Sequence, residues 1–266
     1  ANRRYLGNGN GTFGNGANIN ADADVTQSVA LGDLDGDGDL DLVAGNAGGD
    51  LDRIYLNGGG GAPWATTGNG AMVSADVADT RSIALDDIDR DGNLDLVVGN
   101  AGQVNRRYLG NGDGTFAAGV DIDAATDATS QIRLADVNCD GDLDLVVGNA
   151  GNADKLYLGN GDGTFGAAMN IGAVANTTTS IQVADMNKDG RLDVLAGNTS
   201  GALLYQNNGS VNPFNMVIPF AIAGGANVSA IDAADFNGDG SLDVALGNDD
   251  AIDTITLNPI GPISFN

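Results

Sequence analysis

Short apolar runs alternate with turn residues along the whole chain, and the pattern is periodic. The segment Asp-Gly-x-Leu-Asp-[Leu/Val]-[Val/Leu/Ala], followed by Gly-Asn, occurs five times, behind aspartate-rich stretches that begin at Asp33, Asp87, Asp136, Asp185 and Asp235. A period of about 50 residues fits a propeller blade better than a shorter helical repeat. Each period carries four strand signals. The first precedes the acidic stretch, as in Ser82-Ile83-Ala84-Leu85, and the second follows it, as in Leu94-Asp95-Leu96-Val97-Val98. The second is almost continuously apolar, which predicts burial on both faces.

The third signal is a Tyr-Leu unit and the fourth begins at Thr-Phe. They are joined as Arg107-Tyr108-Leu109-Gly110-Asn111-Gly112-Asp113-Gly114-Thr115-Phe116, with close copies at 4–13 and 156–165 and weaker ones around Tyr55 to Trp64 and Tyr205 to Phe214. Asn-Gly and Asp-Gly between them accept the positive φ of tight hairpins. Four antiparallel strands per period predict an all-β protein, a β-propeller of four-stranded blades in one domain, residues 1–266. Residues 66–80, 122–130 and 172–180 read as connections between blades.

The ends do not match a closed count. Residues 1–20 hold only a third and a fourth strand, while 229–266 hold an acidic loop, its two strands and a degenerate continuation from Asp253 to Asn258. The favoured arrangement has five blades, closed by strand exchange between the termini. Residues from about 252 are then a tail, in which Pro259 and Pro262 disfavour a central strand. The alternative is that they complete their own blade and make a sixth.

Composition narrows the function. The chain has 266 residues, 11 Lys+Arg against 36 acids, no histidine, and a formal charge of −25. Every acid is aspartate, and glycine supplies 42 residues, so a mainly helical protein is excluded. A hydrophobic fraction of 42% still allows a real core. So acidic a surface repels phosphate backbones and anionic lipid, which excludes nucleic acid as a partner. No apolar run approaches the ~20 residues that cross a bilayer, so no membrane insertion is expected. Ala1 is neither an initiator Met nor the start of a leader, and the chain is expected to be mature or excised.

The acidic stretches share the form Asp-x-[Asp/Asn]-x-Asp-Gly-x-x-Asp. Side-chain donors at positions 1, 3, 5 and 9 are Asp33, Asp35, Asp37 and Asp41; Asp87, Asp89, Asp91 and Asp95; Asp136, Asn138, Asp140 and Asp144; Asp185, Asn187, Asp189 and Asp193; and Asp235, Asn237, Asp239 and Asp243. Position 7 holds Asp39, Asn93, Asp142, Arg191 and Ser241, a mixture that suits a backbone carbonyl ligand. So many carboxylates on one turn need a cation. Hard oxygen donors, a glycine at position 6 and the absence of His select Ca²⁺, about five ions, one per loop. Five divalent ions take the formal charge from −25 to about −15. Position 12 holds Ala44, Val98, Val147, Ala196 and Leu246, so these are not helix-flanked EF-hand loops.

With these loops, the Gly-Asn strand ends and the Gly-Thr-Phe units, the chain resembles the FG-GAP/VCBS repeat family over essentially its whole length. The resemblance implies an integrin α-like propeller with calcium in the hairpin loops between the first two strands of each blade. It also implies a secreted or cell-surface protein in adhesion, carbohydrate binding or matrix assembly. The expected function is a structural or adhesive module whose partners are copies of itself, joined head to tail, or another surface protein. A lectin-like module that binds glycans is the alternative.

No catalytic residue is expected, since a chain without histidine offers no Ser-His or Cys-His nucleophile. The remote exception is an Asp-dependent glycosidase using Asp22 with Asp24, Asp76 with Asp79, or Asp121 with Asp123. Arg3-Arg4 and Arg106-Arg107 are expected to pair with the excess aspartate rather than to bind glycan. Trp64 replaces the Phe of the hairpin unit as a core residue. Cys139, where other loops hold Gly36, Arg90, Lys188 or Gly238, marks a position expected to tolerate any residue. Asn10, Asn176, Asn198, Asn208 and Asn227 begin sequons that arise readily in so Asn-rich a chain.

Overall fold

The computed structural model describes residues 2–19, 23–60, 64, 70–214, 216–219, 227–249 and 251–257, and all their regular structure is β. Asp22 and residues 258–266, which include Pro259 and Pro262, lie outside the described residues. Two compact units are formed, one of residues 1–87 and 91–121, the other of 88–90 and 122–266.

In the first unit β1 (Arg3–Arg4) pairs with β2 (Ala17–Asn18) as a lone hairpin. Two four-stranded antiparallel sheets follow. One is β3 (Val25–Gly32), β4 (Asp41–Ala47), β5 (Arg53–Tyr55) and β6 (Ala71–Met72); the other is β7 (Thr80–Asp86), β8 (Asp95–Asn100), β9 (Arg106–Tyr108) and β10 (Val120–Asp121). The predicted strand signals overlap these elements, but Leu94, Leu109 and Thr115-Phe116 lie outside them, Phe116 making only an isolated bridge to Gly110. Every residue of β4 and β8 is buried, as continuous apolar runs require. Each Val, Leu or Ile so buried contributes roughly 1.5–3 kcal/mol.

The second unit repeats the scheme with a difference. β11 (Thr129–Ala135), β12 (Asp144–Tyr157), β13 (Met169–Ala184), β14 (Asp193–Asn198), β15 (Gly201–Gln206) and β16 (Met216–Pro219) form one six-stranded sheet. β12 runs through both the second and the third strand position, and β13 through a fourth and the next first. The stretch expected as a connection at 172–180 is thus strand. Its β-branched Thr177 and Thr178 pair with Ala150 and Asn198, and no proline interrupts the ladder. A three-stranded sheet, β17 (Val228–Ala234), β18 (Asp243–Asn248) and β19 (Thr254–Thr256), ends the described chain. β19 lies on the edge of β18 in third-strand register, so this sheet draws its third strand from residues following 252, not from the amino-terminal hairpin.

The Gly-Asn strand ends lock successive repeats together. A Cβ on Gly45 would lie 2.7 Å from Thr80 and 2.9 Å from Ile83; one on Gly148 would meet Ile181 at 2.7 Å and Thr178 at 2.9 Å. Only glycine admits the next repeat so closely. The following Asn holds the turn, its amide donating to the Leu51, Val104 and Ala153 carbonyls from Asn46, Asn100 and Asn149. Side chains also cross between successive repeats. Ser28 accepts the Ile83 N–H and Ser180 that of Ile231, and the Thr80 and Thr178 hydroxyls donate to Asp52 and Asp154.

Candidate functional site

Each acidic loop joins the first strand of a sheet to the second, and its own carboxylates fold it. The position 1 carboxylate accepts two or three backbone N–H groups across the turn: Gly36 and Gly38 on Asp33, Asp91 and Gly92 on Asp87, Asp140 and Gly141 on Asp136, Asp189 and Gly190 on Asp185, and Gly238, Asp239 and Gly240 on Asp235. The position 5 carboxylate then accepts the N–H of position 7, at 2.8–3.0 Å in all five loops. These local bonds are the Asx turns that aspartate makes with its own backbone.

The position 9 aspartates, Asp41, Asp95, Asp144, Asp193 and Asp243, are fully buried. One oxygen of Asp41, Asp144, Asp193 and Asp243 accepts the N–H of position 2, from Leu34, Val137, Met186 and Phe236. The other oxygen accepts from the end of the third strand, Asn57 on Asp41, Gly110 on Asp95, Gly159 on Asp144 and Asn207 on Asp193. Position 9 therefore ties loop, second strand and third strand together. Burial pushes the carboxyls of Asp41 and Asp144 up, and that of Asp193 to about 6, although the backbone donors pull each of them down.

Donor oxygens converge in the loops. Single carboxylate oxygens of Asp33, Asp35 and Asp37 lie within 4.8 Å of one another, as do those of Asp87, Asp89 and Asp95 in the second loop. The loops with Asn at position 3 are arranged differently. The Asn138, Asn187 and Asn237 amides donate to the position 5 carboxylates Asp140, Asp189 and Asp239, while their carbonyl oxygens accept the N–H of the same residues. Every donor is a carboxylate, amide or backbone oxygen. Such a set fits a hard divalent cation and offers nothing to a thiolate-seeking metal.

The fourth loop also carries its own cation. The Arg191 guanidinium donates to Asp189, and its Nε to the Asn207 carbonyl at 3.0 Å. Position 7 side chains thus have positions of their own: Asp39, Asn93, Asp142 and Arg191 lie over Gly59, Gly112, Gly161 and Gly209 of the third-to-fourth-strand hairpins. Cations at position 4 reach the next loop. Arg90 pairs with Asp142 at 2.5 Å, and Lys188 donates to Ser241 at 3.1 Å.

A family model for FG-GAP-like repeats matches residues 1–44, 87–147, 136–196 and 188–246, more than half of the chain. The chain belongs to the FG-GAP-like repeat family. Among solved structures, these FG-GAP-like sheets are similar to an Agrocybe aegerita lectin described as recognising non-reducing terminal N-acetylglucosamine. Identity is 21% over 92% of this chain and 68% of that one, with a TM-score of 0.63. The V. cholerae biofilm matrix protein Bap1 is similar at 20% identity over 84% of this chain and 35% of that one, with a TM-score of 0.51. Both likenesses concern the fold, and together with the family they make the four-stranded sheets β-propeller blades. No curated relative matches the sequence.

Other residues singled out in the FG-GAP-like sequence have structural partners. Arg106 is held between Asp76 and Asp121. Burial raises the Asp76 carboxyl, but Ser74 and Arg106 outweigh it and leave the group below its usual range, whereas a general acid requires the opposite. Trp64 packs against Ile19, Leu42, Ala44 and Tyr55. Asn198 is buried with its amide on the Ala196 carbonyl, so its sequon is closed to a glycan.

Position 4 is a correction. It was expected to accept any residue, yet Arg90, Cys139 and Lys188 have φ of 63°, 62° and 61°, and Gly36 and Gly238 have 74° and 76°. The left-handed conformation is required in every loop and costs a non-glycine residue about 1–2 kcal/mol. The Thr-to-Asp clamp between blades also escaped the sequence reading. Its signal was there: Thr80 and Thr178 stand seven residues before a loop, Asp52 and Asp154 three before the third-strand Tyr.

Proposed function

We propose that this chain is an extracellular, calcium-stabilised propeller module with a structural or adhesive role, secreted or held at a cell surface, and that it carries out no chemistry. The observation that carries the reading is the recurrence of one oxygen-donor turn at the same place in five successive repeats. Side-chain oxygens at positions 1, 3, 5 and 9 and the position 7 carbonyl would hold one Ca²⁺ in each loop. When bound, the ion supplies the positive charge that an assembly of formal charge −25 lacks. The chain's own contribution is preorganisation: the Asx turns set the donors, and position 9 fastens them to the core.

The five acidic loops correspond to five blades, the last of which calls for a third-and-fourth-strand hairpin of the β1–β2 kind. In support, β1–β2 is a third-and-fourth-strand hairpin without its first two strands, and the β17–β18 pair is followed by a short β19. The partners are copies of the chain or another surface protein. Bap1's description as a biofilm matrix protein supports a matrix role. The described specificity of the Agrocybe aegerita lectin supports the second reading, a glycan-binding module. Light scattering during a calcium titration, run beside a glycan array on monomeric protein, separates the two. Calcium-dependent, chelator-reversible association without glycan binding is the expected result; glycan binding by monomer without association would replace the assembly reading with the lectin one.

A further inference from the structure

Two blades of this chain are defective in complementary ways. The third-strand tyrosine is buried in the complete sheets, at Tyr55, Tyr108, Tyr157 and Tyr205. At the same place in β1, Tyr5 is 53% exposed, and Phe13 beyond it is 70% exposed where its counterpart Phe214 is buried. A cavity of about 330 Å³ opens beside β1, lined by Arg4, Tyr5, Val29, Leu31 and Leu42 among others. Val29 is 57% exposed, whereas its counterparts Ile83, Ile181 and Ile231 are buried against the glycine of a preceding blade.

The β17–β18–β19 sheet has the reciprocal gaps. Its third strand places Thr256 opposite Val244, where the other blades place Tyr55 opposite Leu42, Tyr108 opposite Leu96 and Tyr205 opposite Val194. β19 is three residues long and brings no fourth strand to this sheet among the described residues. A Cβ on Gly247 would meet only Ala230 and Ser229 of its own sheet, and the cavity there measures about 420 Å³. Charge points the same way. Residues 2–19 carry Arg3 and Arg4 and no acid, in a chain of −25, while residues 227–257 carry seven aspartates and no Lys or Arg.

We infer that the β1–β2 hairpin of a second copy replaces β19 on the edge of β18, so that copies join head to tail by strand exchange. Tyr5 then pairs with Val244, Arg4 with Ala245 and Arg3 with Leu246, the register β19 already uses. β3 follows the hairpin, and its Val29 seats against Gly247 as Ile231 seats against Gly197. The incoming hairpin keeps the backbone pairing that β19 makes and brings a tyrosine and a fourth strand, neither of which β19 supplies among the described residues. Ala230 stands where Ser28 and Ser180 accept an N–H from the next blade, so this joint has one hydrogen bond fewer than those within the chain and is the reversible one. The inference rests on the assembly reading above and specifies its surfaces.

The test is a disulfide trap in a Cys139→Ser background. At the template joint, a Cβ on Gly197 lies 3.6 Å from the Cβ of Ile231, within the roughly 3.5–4.5 Å that a disulfide spans. Val29→Cys protein and Gly247→Cys protein, each in full-length chain with calcium, should give disulfide-linked dimer on mild oxidation only when mixed. The double variant should give a ladder of covalent oligomers. Adding Tyr5→Asp, at an exposed site that leaves the melting temperature unchanged, should cut the cross-linked product at least ten-fold. No dimer on mixing, equal dimer in the unmixed samples, or a double variant that closes as a monomer would each overturn the inference. Light scattering keeps the two readings apart, because association without cross-linking rejects these surfaces and leaves the assembly reading standing, whereas no association rejects the assembly reading.

Discussion

The first and fourth acidic loops share a backbone and differ in electrostatics. Both turn on a position 1 carboxylate that accepts two N–H groups, and both bury their position 9 aspartate. The first has five aspartates, Asp33, Asp35, Asp37, Asp39 and Asp41, and no cation. The fourth replaces one acid by Asn187, lays Arg191 on Asp189 and adds Lys188. The same kind of hydrogen bonding shapes both loops and leaves their charge uncompensated to different degrees. Repulsion between unpaired carboxylates should make the first loop the most dependent on an external cation and the fourth the least.

That contrast can be broken most forcibly at position 1. With calcium present, Asp33→Ala and Asp185→Ala should each destabilise by about 2–4 kcal/mol, because each leaves two backbone donors without their acceptor and removes a ligand. In excess chelator the Asp33→Ala penalty should shrink markedly, since the change also removes one charge from an uncompensated cluster, while the Asp185→Ala penalty should shrink less. Urea denaturation under both conditions measures the difference, and equal shrinkage would remove the distinction between the loops.

A buried carboxylate outside the loops gives a control with no cation to help it. Burial raises the Asp154 carboxyl to about 6, against the opposing bonds from the Asn149 N–H and the Thr178 hydroxyl. Its folded value lies above the unfolded 3.8, so the folded state holds the extra proton. Stability from this group should fall as pH rises from about 4 to 6, and the full cost should persist above 6. Asp154→Asn, which places here the residue that the preceding repeat has at Asn105, should remove that slope and stabilise the protein at pH 7 by about 1–3 kcal/mol. Melting curves across that pH range for both proteins would show it.

Smaller effects sharpen the comparison. Arg191→Ala should cost about 1 kcal/mol in chelator, as expected for a partly exposed ion pair, and should make the fourth loop's stability more calcium-dependent. Cys139→Gly should stabilise by up to about 1 kcal/mol, the left-handed strain released less the entropy that glycine adds to the unfolded chain. Thermal melts suffice for both.

The repeat made much of this legible. Period, strand order and hairpin turns follow from spacing, because each depends on residues close in sequence. Position 4 was misread because Arg90, Cys139 and Lys188 share no side-chain chemistry; what they share is a backbone angle, which composition does not display. Position 9 was read only as a donor, since its hydrogen bonds to Asn57, Gly110, Gly159 and Asn207 come from a third strand some 15 residues away. The fusion of strands in β12 and β13 is not legible for a related reason: the ladder partners of Thr177 and Thr178 are Ala150 and Asn198, some 20 or more residues away.

If divalent cations neutralise these loops and thereby stabilise the fold, the melting temperature should fall sharply between calcium and excess chelator, and recover with added Ca²⁺ but only weakly with Mg²⁺. An unchanged melting temperature would contradict it.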